Sequence, residues 1–438
     1  MATMHSDSKS ALTDIIDQGQ IGGAQMLIMF SALILNMLDG FDVTAMAFAA
    51  HSVGQDLMIP ADQLGIVFSA ALAGMMVGAM FIAPFADVYG RRTMLLSSVL
   101  VVGVSMFLAG VATSLWQLIL LRFVTGLGVG GLLASLATVT SEYTPEKYKS
   151  LSVVIVTAGY PLGATLGGFI AAPLLESFGW RSVFFFGGGA TLLMFLGVYF
   201  WIPESIQFLL TRRPSGALQT INRTLSRLNK GTIEELPAVT SDATLEKVSV
   251  RALLSPELKI KTLQLWTTFC FCFISLYFLM SWIPKLVVLS GASESAGVYA
   301  SAAFNGGAVV GIISLGWLAS KVSLSHLIGG FLSTTGIGML LYSIAADAIP
   351  LIAYLFVIGF FLQGGFTGLY AVSAKLYPAE VRSTGVGWAI GLGRFGAVIG
   401  PYVGGVLIAN GFDMAFNFMM YAIPTLLAGV FAWRLKIE

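Results

Sequence analysis

Charge is scarce in this chain. Only 10% of its 438 residues are Asp, Glu, Lys or Arg, against about a quarter in an average soluble domain. The 23 basic and 22 acidic residues leave a formal net charge of +1, so the basic footprint of a nucleic-acid-binding protein is missing. Cysteine is nearly absent. Cys270 and Cys272 fall in one apolar run, and a C-x-C spacing there fits neither a disulfide framework nor a zinc site, so both read as packing residues. There are three histidines; His51 is placed in a loop after the first apolar segment and His326 near a turn, and neither has metal-ligand company. No metal and no cofactor are therefore expected. The polar opening, 1–20, lacks a basic region followed by a small-residue cleavage site, and reads as a cytoplasmic tail rather than a signal peptide. No nucleophile, base and orienting group occur together in the apolar segments, which argues against an enzyme.

What the chain has is apolar length. With 57% hydrophobic residues and a mean hydropathy of +0.87, it reads as an all-α polytopic membrane protein. Twelve spans are placed near 24–48, 63–85, 93–112, 115–140, 150–173, 182–202, 262–287, 296–319, 323–344, 350–374, 383–409 and 414–434. One long polar stretch, 203–261, separates the sixth from the seventh. If the N-terminus is cytoplasmic, only Arg181 and Lys285 fall on the outside, and Arg122 and Arg394 lie within spans; every other basic residue is inside, as the positive-inside rule requires. Both termini are then cytoplasmic. In the polar stretch, 215–229 carries Leu218, Ile221, Leu225 and Leu228 at helical spacing with Arg223 and Arg227 elsewhere, an amphipathic helix expected at the cytoplasmic membrane interface, either tethering two halves or regulating them.

An internal repeat underlies the spans. Pro145, Lys149 and Ser150 recur as Pro378, Arg382 and Ser383, and the same offset of 233 carries Gly126 to Gly359, Gly131 to Gly364, Gly163 to Gly396 and Gly167 to Gly400. The chain therefore reads as two pseudo-symmetric six-helix bundles, 24–202 and 262–438, joined by a cytoplasmic linker at 203–261 and preceded by a tail at 1–23. The membrane-level charges do not follow the repeat: Arg122 stands opposite Leu355, Arg394 opposite Pro161, and the seventh span has no acid. Glycines that repeat read as helix packing, and charges that do not repeat read as chemistry. Gly126, Gly128 and Gly131 formally satisfy G-x-G-x-x-G, but without a strand and a βαβ unit that spacing is helix packing too.

Several motifs resemble the major facilitator superfamily. The run Ala83-Pro84-Phe85-Ala86-Asp87-Val88-Tyr89-Gly90-Arg91-Arg92 is similar to that family's signature loop, with Pro84 in place of a glycine and Val88 in place of an arginine. A weaker copy, Gly316-Trp317-Leu318-Ala319-Ser320-Lys321, follows the eighth span. Arg122 to Gly131 leading to Glu142, Tyr143 and Pro145, the Gly159 to Gly168 element, and Pro203-Glu204-Ser205 extend the likeness. The resemblance implies the major facilitator fold and a cytoplasmic gate, here Asp87, Gly90, Arg91, Arg92, Glu142 and Arg382. Asp39-Gly40-Phe41-Asp42 in the first span and Gly393-Arg394-Phe395-Gly396 in the eleventh resemble the aromatic acid:proton symporter family. That likeness implies a monomeric secondary transporter of the bacterial inner membrane, importing a small aromatic carboxylate with protons by alternating access. A sugar, polyol, non-aromatic acid or exported drug as substrate, or a non-transporting sensor, remain alternatives.

The chemistry of the residues fits. Asp39 and Asp42 are three apart, hence on one helix face, and a charge at that depth costs roughly 2.5–3.5 kcal/mol. A carboxyl group out of water holds its proton more tightly, and two together titrate as a pair. Arg122, at similar depth, would hold an acid ionised, either as part of proton coupling or as a purely structural ion pair. Arg394 has no acidic partner at membrane depth in its own half. It is expected to take the carboxylate of the substrate in a bidentate grip, the alternative being bonds to backbone carbonyls. Aromatic residues crowd the seventh span (Trp266, Phe269, Phe271, Phe273, Tyr277, Phe278, Trp282), and Asn305 and Tyr370, with Tyr160, Gln363 and Trp388, complete an expected wall for the substrate.

Overall fold

In a bilayer every backbone N–H and C=O has to be bonded within the chain, so long apolar runs have no alternative to the helix. The computed structural model describes residues 21–236, 250–345, 350–378 and 381–435; most of the tail expected at 1–23 and part of the linker lie outside these. Twelve helices among the described residues are long and apolar enough to cross a membrane. They are α1 (Gly23–Asp56), α2 (Ala61–Val77, continued by a π turn and short helical turns to Tyr89), α3 (Arg91–Ala109), α4 (Leu115–Tyr143), α5 (Glu146–Phe178), α6 (Trp180–Trp201), α9 (Lys259–Leu289), α10 (Glu294–Leu318), α11 (Leu324–Ala345), α12 (Leu351–Leu376), α13 (Arg382–Ala409) and α14 (Met414–Arg434). Two short helices, α7 (Ile206–Arg212) and α8 (Ala217–Arg227), belong to the connecting stretch.

Two expectations are corrected. His51 is not in a loop but in the last turns of α1, because a 34-residue helix about 50 Å long projects beyond the apolar slab, where polar residues cost nothing. Helix α8 forms where expected, yet its apolar face is not free to lie on lipid. Ile221, Leu225 and Leu228 are buried in one cluster with Ile28, Leu132, Val139 and Ile202, so α8 seals the end of the first six-helix half.

The sequence repeat reappears as a repeat of contacts. A Cβ at Gly126 would strike the carbonyl oxygen of Ala71, and one at Gly359 that of Phe304; Gly163 is set against Met37, and Gly396 against Cys270; Gly74 against Phe123, and Gly307 against Phe356. Each pair shifts by 233 into its partner, so glycine lets the same backbones approach in both halves. A side chain at Gly40 would likewise meet the Tyr160 carbonyl. Gly40→Leu is accordingly expected to block the α1–α5 contact at a cost above the roughly 1–3 kcal/mol of ordinary overpacking. Wild-type yield of monodisperse protein, with an unchanged melting temperature, would contradict this.

The halves meet along α2–α13, α5–α10 and α1–α9. The contacts lie on the side away from the termini and the connecting stretch. Gly65 packs on Pro401 and Tyr402, Gly168 on Ala302, and the Ser69 hydroxyl donates to the Val398 carbonyl at 2.6 Å. The Phe68 ring meets Trp282 edge-on at 5.1 Å. Ser52, near the end of α1, donates its hydroxyl to both Glu294 carboxylate oxygens at 2.6 and 2.7 Å. Among the described residues no hydrogen bond joins the halves on the side of the termini. These hydrogen bonds and close backbone contacts tie the halves together on that side.

Candidate functional site

Asp39 stands about 24 Å along α1, close to its middle. It is only 4% exposed, and neither carboxylate oxygen has a hydrogen-bond partner. Asp42, one turn on, is differently placed. Arg122 of α4, 2% exposed, donates from one terminal nitrogen to Asp42 Oδ1 at 2.7 Å and from the other to the Asp42 carbonyl at 3.1 Å. The two acids that look equivalent in sequence are thus one paired and one free. Removing one partner of a buried ion pair strands the other, typically at about 3–5 kcal/mol. Arg122→Leu is expected to lower thermal stability by this order, and Arg122→Leu combined with Asp42→Asn to restore most of it. Equal melting temperatures for the single and double variants would exclude the pairing.

Arg394 of α13 reaches the same region from the other half. It is half-buried and, among the described residues, forms no hydrogen bond or ion pair, so the alternative of bonds to backbone carbonyls is not realised. Asp39, Asp42, Arg122 and Arg394 lie within one another's electrostatic reach, and Tyr160 of α5 and Tyr277 of α9 share that field. The Tyr160 hydroxyl is buried and lies next to that of Tyr277. Tyr370 of α12, 37% exposed, faces Arg394 and packs edge-on against Phe269 at 5.7 Å and Phe366 at 5.3 Å. Behind it, Phe273 stacks on Tyr277 at 5.5 Å. Gly393 makes room for this group, since its missing side chain leaves space for Phe273 and Phe269. Six helices, three from each half, therefore bring a free acid, a free guanidinium and a bank of rings to the midplane.

The other expected wall residues have partners of their own. Asn305 and Gln363 are buried in the α10–α12 contact, bonded to each other at 3.3 Å, and the Asn305 amide also donates to the Ser301 carbonyl at 2.9 Å. Neither bonds to any of the four membrane-level charges. Trp388 lies about 9 Å along α13 from Arg394 toward the start of that helix, its ring 6.2 Å from that of Trp266. Sequence reading named Tyr277 only as one of many aromatics, and passed over Asn36, whose spacing of three from Asp39 was the available signal.

At the ends of α2 to α6 the motif residues form a charge network. Gly90 holds φ = +95°, a conformation that glycine accepts readily, and turns the chain so that α3 starts beside Glu204. Arg91 bonds Glu142 at 2.6 Å and Asp87 at 3.2 Å. The backbone N–H of Arg92 donates to Glu204 at 3.0 Å, and Arg92 also donates to the Tyr199 carbonyl at 2.5 Å. Glu204, read only as part of a motif, accepts the backbone N–H groups of Arg92, at the start of α3, and of Ser205. The second-half copy is thinner: Arg382 donates to the Tyr377 carbonyl at 3.3 Å, and Lys321 lies 3.7 Å over the Trp317 ring. Arg382 does not join the Arg91 network, which lies wholly within the first half.

Comparison with known proteins agrees with this architecture. The family model described as Major Facilitator Superfamily matches residues 32–345 and 265–438. The 4-hydroxybenzoate transporter PcaK of Acinetobacter baylyi is 33% identical over 95% of this chain and 92% of its own length. The gallate transporter of Pseudomonas putida is 30% identical over 97% of this chain and 94% of its own. Among solved structures, a D-xylose-proton symporter superposes with a TM-score of 0.73 at 16% identity, covering 94% of this chain and 97% of the other. With a family model spanning both halves and relatives aligned over nearly the whole length, the chain belongs to the Major Facilitator Superfamily.

Proposed function

We propose that this protein imports small aromatic carboxylates, of the hydroxybenzoate type, together with protons. The observation that carries the reading is the unpartnered Asp39 within electrostatic reach of the unpartnered Arg394, at the junction of the two halves. The names of the hydroxybenzoate and gallate transporters, aligned end to end with this chain, supply the substrate class. The guanidinium of Arg394 takes the substrate carboxylate, and Tyr370 and Phe366 offer ring faces beside it. Asp39 carries the proton; Asp42, held by Arg122, keeps α1 and α4 together and sets the local field.

With Asp39 protonated and Arg394 neutralised by the substrate, no net charge is left bare at the midplane and the halves can rock. With only one loaded, an uncompensated charge opposes the transition. The surplus of basic residues on the side of the termini supports a cytoplasmic orientation for that side, and we read the membrane as a bacterial inner membrane. We read the chain as two transporting halves, 24–202 and 262–438, with a linker at 203–261, acting as a monomer.

Thermal-shift measurements on the purified protein test the substrate class. Hydroxybenzoates at 100 times Kd should stabilise it by about 2.7 kcal/mol, more at low than at high pH, while hexoses should have no effect. A response to sugars and none to benzoates or phenylpropanoids would overturn the reading.

A further inference from the structure

Helix α5 contains Pro161, which has no N–H to give to the carbonyl of Thr157 four residues earlier. Asn36 of α1 lies against this break: its Nδ2 donates to the Val156 carbonyl at 2.5 Å and, more weakly, to the Thr157 carbonyl that Pro161 leaves open, at 3.4 Å. Because both partners are acceptors only, the amide orientation is fixed, with the NH2 toward α5 and Oδ1 turned away. That Oδ1 is buried and has no donor. Asn36 is three residues before Asp39 and shares its helix face, at about 5–6 Å between Cβ atoms. Two buried groups one turn apart are therefore both short of a partner: an amide oxygen that needs a donor, and a carboxyl that becomes a donor only when protonated.

We infer that Asn36 is the positioning residue for the proton on Asp39. Its amide nitrogen ties α1 to the proline break in α5, and its oxygen accepts the hydrogen bond of the protonated Asp39 carboxyl. The ionised carboxylate has no such bond to make, so Asn36 favours the loaded form. The charged and titratable groups facing Asp39 are Asp42 on its own helix, Arg122 from α4, Tyr160 from α5, Tyr277 from α9 and Arg394 from α13; α2, α6 and α10 carry theirs only near their ends. Asn36 is uncharged, so replacing it leaves the number of charges around Asp39 unchanged. The inference rests on the proton-carrying role proposed for Asp39.

Infrared titration of the full chain in lipid nanodiscs tests it without any substrate. In the wild type, a carboxylic C=O band that is absent from Asp39→Asn should grow in as pH falls. In Asn36→Leu that band should move to the higher frequency of an unbonded acid, and its midpoint should fall by about half to one pH unit. Asn36→Gln, which keeps an amide, should restore part of both. If Asn36→Leu does not fold, Asn36→Ala carries the same expectations. An unchanged band and midpoint, or no Asp39-dependent band at any pH where the protein stays folded, overturns the inference. A band that responds to Asn36 in a protein that no aromatic acid stabilises would sink the transport reading alone.

Discussion

Asp39→Asn is expected to abolish accumulation of hydroxybenzoate in proteoliposomes while leaving exchange across the membrane intact. Asparagine keeps the size and the neutral state of a protonated Asp39 but can never release a proton. The variant can therefore cycle loaded with substrate and cannot draw on a pH gradient. One proton per substrate and one unit of pH difference support up to about tenfold accumulation in the wild type; the variant should equilibrate at a ratio of one. Asp42→Asn should behave differently, because Asp42 is already paired at 2.7 Å with Arg122 and its loss leaves a buried guanidinium without a counter-charge. Its first symptom is instability. Full accumulation by Asp39→Asn under an imposed gradient would remove Asp39 from the coupling step.

Arg394→Ala is expected to raise Kd for hydroxybenzoates by about two to three orders of magnitude. A buried charge pair that loses one partner forfeits about 2–5 kcal/mol, much of it from the partner left bare. Here the bare partner is the carboxylate of the substrate, beside the Tyr370 and Phe366 rings, with no second free cation among the described residues at that depth. Arg394→Lys should recover only part, since a point charge replaces a planar fork. Calorimetric titration decides it, and a Kd within threefold of wild type for Arg394→Ala would place the carboxylate elsewhere. The two variants also separate roles. Asp39→Asn should bind and fail to accumulate; Arg394→Ala should fail to bind.

The legibility of these sites in sequence differed by residue. Asp39, Asp42, Arg122 and Arg394 stood out because charge within an apolar run is costly and rare, and that cost is local to the chain. The glycine pairs offset by 233 were legible for a similar reason, since one packing rule written twice leaves one pattern twice. Pairing was not legible. Asp39 and Asp42 have the same side chain, helix and face, and only the path of α4 assigns Arg122 to one of them. Nor could hydropathy show that Asn305 and Gln363 satisfy each other inside the α10–α12 contact. The amphipathic pattern of α8 was read correctly as a helix, but an apolar stripe fits a protein surface as well as a lipid one.

Sequence by itself determined twelve membrane helices, their duplication and the four charges sunk among them, because helix formation, insertion cost and glycine packing act over neighbouring residues. Only the tertiary structure decided which acid is unpartnered, on which side hydrogen bonds tie the halves together, and that Asn36 bonds carbonyls of α5 beside Pro161. Those are contacts between residues as much as 120 or 242 positions apart. Their energies depend on distance and direction in space, which no local pattern encodes.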